Sequence, residues 1–347
     1  MSPDLKIDGF VAPGFEAVRE AFATDPRGGS ALTVLRAGEP VVDLREGWRD
    51  AARTLPWDEN TLVNVYSVGK PVIALGLLLL VERGLLSLDD RVPRLWPQFK
   101  TDACVREILA HTAGLPFFPV AREASAWSDW DLLCADLAGA TPIWPPGTVA
   151  AEHALTYGHL VGELIRRVDG RPPAQFVAEE IAGPYGLDLG YGRGSDRCAE
   201  LEYDSPDWPA RNLGDPESVH ARAVSNPAGA RDLAVVNSDR WRSATIPAVN
   251  LHATAAAIAG FYAVPATRLL AVPQFEGVDQ FIGSTVVWGL GVQFETDGTW
   301  GMGGLGGNAG WYDPANDLAI GYVTRRLGDF TAVDRIESVL NSVSKQQ

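Results

Sequence analysis

The chain has 347 residues, of which 46% are apolar and 21% charged, with a formal net charge of −15. A chain of that length and balance folds, burying about 75% of its unfolded surface, and its composition excludes a disordered protein. The excess of 44 acidic over 29 basic side chains argues against nucleic acid or an anionic membrane surface as partner.

The first residues, MSPDLKIDGF, lack the basic start and apolar stretch of a secretion signal. Phe15 to Phe22 reads as a short amphipathic helix. Ser30 to Gly47 reads as a hairpin, with two β-rich runs around a Gly-Glu-Pro turn. Pro71 to Val81 is the longest apolar run and falls short of the ~20 residues that cross a bilayer, so it reads as a buried central helix ending at Gly84. Helical patterns follow over Val105 to Leu109, Trp127 to Ala138 and Tyr157 to Val168, with another from about Pro173. Pro145-Pro146-Gly147 forces a turn, and Asp188 to Pro216, rich in Gly, Asp, Arg and Pro, reads as a surface loop. His252 to Tyr262 is helical again. The chain then turns β-like over Val286 to Phe294, Gly310 to Tyr312 and Leu318 to Thr324, and closes with a helix from Val333 to Val343.

Strands at both ends and helices between them predict an α+β fold. Its expected form is one domain, with an antiparallel sheet lobe from about residues 9–60 and 284–343 and a helical lobe from about 61–283. Cys104, Cys134 and Cys198 are too few and too widely spaced for a disulfide framework or a thiolate metal pair, and read as reduced thiols in the cytoplasm.

Three groups of residues carry chemistry. Ser67 and Lys70, in Y-S-V-G-K, lie three apart at a helix start and so share one face. A serine hydroxyl needs a base, and a buried lysine can be one; the same pair also reads as a helix cap beside a solvated lysine. Tyr157, in Y-G-H, can share a proton with such a pair or simply fill the core. Five glycines between Gly301 and Gly307 allow close approach of backbone to a substrate, or a bulge in a sheet. The histidines form no metal-binding pattern, and His111, before a glycine turn, reads as structural.

Taken together, these residues resemble the serine β-lactamase and penicillin-binding-protein superfamily, in particular its class C-like, family VIII carboxylesterase branch. The resemblance runs from about Gly9 to Val343. It rests on S-V-G-K at 67–70, G-L-L-S-L-D-D at 84–90, H-T-A-G-L-P at 111–116, P-P-G-T at 145–148, Y-G-H at 157–159 and G-G-L-G-G-N-A-G-W-Y-D-P at 303–314. It implies a β-lactamase/transpeptidase-like fold and an acyl-enzyme on Ser67, with Lys70 and Tyr157 as base and acid. The oxyanion would sit between the Ser67 and Leu305 N–H groups. Met302, Gly303 and Gly304 would line the substrate site, with His159 standing where lactamases have asparagine. This chemistry needs no cofactor and no metal, and implies a small-molecule ester or amide as substrate, on a monomer or homo-oligomer.

The chain departs from the family at Met302, where lactamases carry lysine and the esterases usually histidine. Methionine holds no substrate carboxylate, which favours an uncharged ester over a β-lactam or peptide. Ester hydrolysis is the expected activity. Acyl transfer, β-lactam or peptide cleavage, and binding without catalysis stay open as alternatives.

Overall fold

A computed structural model describes residues 6–24, 28–194 and 196–344. Its centre is a nine-stranded, wholly antiparallel sheet. From one edge the strands are Ile7–Val11, Glu39–Gly47, Gly29–Arg36, Leu318–Thr324, Asn308–Asp313, Trp300–Gly304, Gln293–Phe294, Thr285–Trp288 and Phe275–Val278. The two chain ends meet where Gly29–Arg36 pairs with Leu318–Thr324, in a register running from Leu318 opposite Arg36 to Thr324 opposite Ser30. The sheet is thus built from both termini, as the strand pattern predicts.

Side chains alternate across these strands. Leu318, Ile320 and Tyr322 join Leu32, Val34 and Leu44 under the helices Glu16–Ala23 and Thr331–Ser344. On the other face, Ala319 and Val323 join the main core beneath the helix Ala255–Ala263. That helix lies so close that a Cβ on Gly321 would stand 2.4 Å from the Ala255 carbonyl oxygen. Only glycine permits this approach.

Between the strand sets runs the helical part. The helix Lys70–Glu82 is buried along nearly its whole length, from Lys70 to Leu80 with only Leu79 partly exposed. Its apolar run therefore marks a core position, as the sequence implies. Among the described residues no helix is long and apolar enough to cross a membrane.

Three local readings are corrected. The hairpin turns at Ala37 and Gly38, both with positive φ, one step before the expected Gly-Glu-Pro; Pro40 already pairs with Leu35, at a register shift. His252 is not helical: His252–Ala253 is a short strand, and the helix begins only after Thr254, whose side chain accepts from the Ala257 N–H. Asp188 to Pro216 is not a plain surface loop. It contributes the strands Leu189–Gly190 and Glu202–Tyr203 and the helix Trp208–Leu213, and it buries Leu189, Tyr191, Leu201 and Trp208. Single apolar residues scattered among glycines and arginines anchor it without any period to betray them.

Candidate active site

Ser67 opens a single 3-10 turn, Ser67–Gly69, that feeds directly into the helix Lys70–Glu82. The residue before it, Tyr66, holds φ 49° and ψ −127°. That is a strained conformation for a side-chain-bearing residue, and the surrounding core must enforce it. Three residues on, the fully buried Lys70 brings Nζ to 2.5 Å from Ser67 Oγ. Burial pushes the Lys70 ammonium below its ordinary range. Glu152 opposes that push, since its Oε1 lies 2.8 Å from Lys70 Nζ.

Glu152 is the residue that the sequence reading missed. It fills the position beside the Ser–Lys pair that the resemblance assigned to tyrosine. Tyr157 is not there. Its hydroxyl donates to the Leu109 carbonyl oxygen at 3.3 Å, its ring lies 4.6 Å from that of His111, and burial pushes its pKa far up. The phenol therefore stays protonated behind the site instead of facing Ser67. The reason is chain direction: residues 150–156 cross the floor of the cleft, and by Tyr157 the chain has entered the helix Tyr157–Asp169 and left it. One sequence signal was present. Glu152 is an acidic residue at the end of the apolar stretch Val149-Ala150-Ala151.

His159 is also displaced. Two residues beyond Tyr157, it is fully buried, stacked on Trp130 at 4.7 Å and edge-on to Phe118 at 5.7 Å. Burial lowers its pKa to about 3, so it is a neutral ring filling an aromatic cage, away from the cleft.

The segment carrying Glu152 is held from two sides. His111 accepts the Ala151 N–H on its carbonyl oxygen at 3.1 Å and the His153 N–H on Nδ1 at 3.0 Å. Leu115 donates its N–H to His153 Nε2 at 3.4 Å, and Thr156 Oγ1 donates to the Leu115 carbonyl oxygen at 2.8 Å. This is the work of H-T-A-G-L-P: it clamps the floor of the cleft. From the other side, the fully buried Asp279 accepts from the N–H groups of Glu152 (3.2 Å), Phe281 (2.8 Å) and Ile282 (3.0 Å) and from Trp288 Nε1 (2.8 Å).

A cavity of about 460 Å³ opens over Ser67 and Glu152. Leu155, Val249, Phe281 and Ile282 give it apolar walls, and Met302, Gly303, Gly304 and Leu305 line the strand side. Gly304 is pressed against the chain before the nucleophile; a Cβ there would stand 2.3 Å from the Val65 carbonyl oxygen. The predicted glycine strand and Leu305 therefore do reach the cleft that holds Ser67. Met302 is buried with Ala150, Val286 and Trp288, and brings no charge.

An antiparallel sheet with an inserted helical part, and a serine hydroxyl bonded to a buried lysine over an apolar cavity, define a class: serine hydrolases that work through an acyl-enzyme. The chain belongs to the beta-lactamase family, whose profile matches residues 16–342. It is 30% identical to the esterase/beta-lactamase LipL of Mycobacterium tuberculosis, over 93% of this chain and 83% of that one. Among solved structures it resembles a family VIII carboxylesterase, with 29% identity, a TM-score of 0.86 and 97% and 99% of the two chains covered. It resembles a penicillin-binding protein homologue from Caulobacter crescentus to a similar degree, with 29% identity, a TM-score of 0.84 and coverage of 97% and 100%.

Proposed function

We propose that the protein hydrolyses a carboxylic ester of a small molecule, with Ser67 as nucleophile and Lys70 and Glu152 carrying its proton. The observation behind this reading is the chain Ser67 Oγ–Lys70 Nζ–Glu152 Oε1, with links of 2.5 and 2.8 Å, opening on an apolar cavity. Ser67 passes its proton to Lys70 as Lys70 passes one to Glu152, and Oγ bonds to the ester carbonyl carbon. The negative charge on the carbonyl oxygen is met by the Ser67 and Leu305 N–H groups. The tetrahedral adduct then expels the alkoxide, which takes the proton back from Glu152 by way of Lys70. Water repeats the sequence on the acyl-enzyme: its proton goes to Glu152, the Oγ–acyl bond breaks, and Ser67 regains a proton from Lys70, which takes back the one on Glu152.

An ester is favoured because Met302 offers nothing to the carboxylate that lactamases grip on this strand. The names of the relatives point the same way. Three buried cysteines, none of them in a disulfide, suit a cytoplasmic location.

The test is turnover of short-chain 4-nitrophenyl esters by wild type and Ser67→Ala, with mass detection of the acyl adduct. Wild type should turn over and accumulate an adduct on the Ser67 peptide, and Ser67→Ala should lose roughly 10⁴-fold. A wild type that neither hydrolyses nor traps any ester would end the proposal.

A further inference from the structure

The cavity over Ser67 contains a charge that the reaction does not use. Arg231 lines it, half-buried. Its Nη2 donates to the Pro209 carbonyl oxygen, its Nε is buried without a partner, and no carboxylate pairs with it among the described residues. The fully buried Arg325 is held differently. Arg325, at 2% exposure, pairs with Glu202 at 3.0 Å and donates Nε to the Glu200 carbonyl oxygen at 2.6 Å.

None of the other ionisable groups lining the cavity supplies Arg231 with a counter-ion. Glu152 is paired with Lys70. Asp329 lies on the exposed rim and accepts the Thr331 N–H at 3.1 Å. His220 is pushed below its ordinary pKa by burial, with Arg231 adding to that push, and donates Nε2 to the Asn212 carbonyl oxygen at 3.1 Å. Tyr66, at 1% exposure, has an unpartnered hydroxyl and contributes no negative charge, because burial raises its pKa. The guanidinium is thus a cation held among apolar walls with no counter-ion among the described residues.

Such a group is costly to hold unpaired, and an anion arriving from outside offsets that cost. The planar fork of arginine suits a carboxylate through two parallel hydrogen bonds. We propose that Arg231 anchors a carboxylate on the substrate, so that the preferred ester is anionic, with its carbonyl at Ser67 and its carboxylate at the guanidinium. The inference rests on the esterase reading for its reaction but not for its binding site. It also replaces the expectation drawn from Met302: the cation missing from the third-motif strand is supplied by a different segment of the chain.

The test pairs each carboxylated ester with a neutral isostere. On the acyl side, 4-nitrophenyl hemisuberate is compared with its methyl ester, methyl 4-nitrophenyl suberate. On the alcohol side, 4-acetoxybenzoate is compared with its methyl ester. Wild type should prefer the anion in one pair by about tenfold or more in kcat/KM, and that pair identifies which half of the ester bears the carboxylate. Arg231→Gln should erase the preference while holding the neutral esters within about threefold, and Arg231→Lys should keep part of it.

Binding is measured separately. Free suberate and benzoate are titrated into Ser67→Ala by calorimetry, against benzamide as the uncharged control. Carboxylate binding that Arg231→Gln abolishes supports the site even if no ester is turned over, in which case the hydrolase reading alone has failed. No carboxylate binding and no anion preference in wild type, or an equal loss on both members of a pair in Arg231→Gln, overturns the inference.

Discussion

A carboxylate beside a lysine changes what that lysine can do. Alone and fully buried, Lys70 would shed its proton readily; with Glu152 at 2.8 Å it can hold one and pass it on. Glu152→Gln keeps the shape and removes the proton acceptor, so kcat on a 4-nitrophenyl ester should fall by about 10² to 10³. The change also removes a group that raises the Lys70 pKa, so in the variant Lys70 itself must be the acceptor, and the residual activity should rise as Lys70 loses its proton, below the ordinary lysine range. Tyr157→Phe loses a 3.3 Å hydrogen bond to Leu109 outside the cleft and should stay within about threefold of wild type. If the two variants trade places, with Tyr157→Phe the inactive one, the proton chain drawn through Glu152 is wrong. Ser67 and Lys70 were legible because one helical turn joins them and their spacing is local. Their third partner was not, since its place depends on where a loop crosses the cleft 82 residues later.

That loop is positioned by elements that do no chemistry. Asp279 stands after the strand Phe275–Val278 and gathers four donors, one of them the Glu152 N–H. Asp279→Asn turns one acceptor into a donor facing N–H groups, and should cost about 1–3 kcal/mol of stability. As a positioning residue it should also lower kcat more than it raises KM, and narrow the pH range over which the enzyme works. Unchanged kcat at full occupancy would show that the loop holds Glu152 without it. The H-T-A-G-L-P segment was legible as an element with a structural histidine. Its target, the backbone of residues 151–156, was not, because a local motif does not name the segment it binds.

Over the whole molecule, burial leaves several histidines uncharged. His153 and His159 are lowered to about 3 and His252 to about 4, in each case mainly by burial. An unfolded histidine takes up a proton as pH falls below about 6.5, while these stay neutral in the fold. The unfolded state therefore binds more protons between pH 6.5 and about 3, and stability falls as pH falls through that window. His159→Phe removes one such site from its aromatic cage. The dependence of unfolding free energy on pH between 6.5 and 4 should flatten by about 1.4 kcal/mol per pH unit. Denaturant unfolding at a series of pH values reads this directly, and an unaltered slope would mean that His159 is protonated or exposed in the native protein.

The sequence by itself determined the sheet of both termini, the buried central helix, the Ser67–Lys70 pair and the family. Each of these follows from local periodicity, from residues one helical turn apart, or from a motif whose order along the chain is enough. Tertiary structure alone decided which carboxylate stands beside Lys70, that His159 lies in an aromatic cage, and that Arg231 lines the same cavity as Ser67 with no carboxylate paired to it among the described residues. These depend on which distant segments share a few ångströms, and on what water is excluded when they do. Spacing along the chain reports neither.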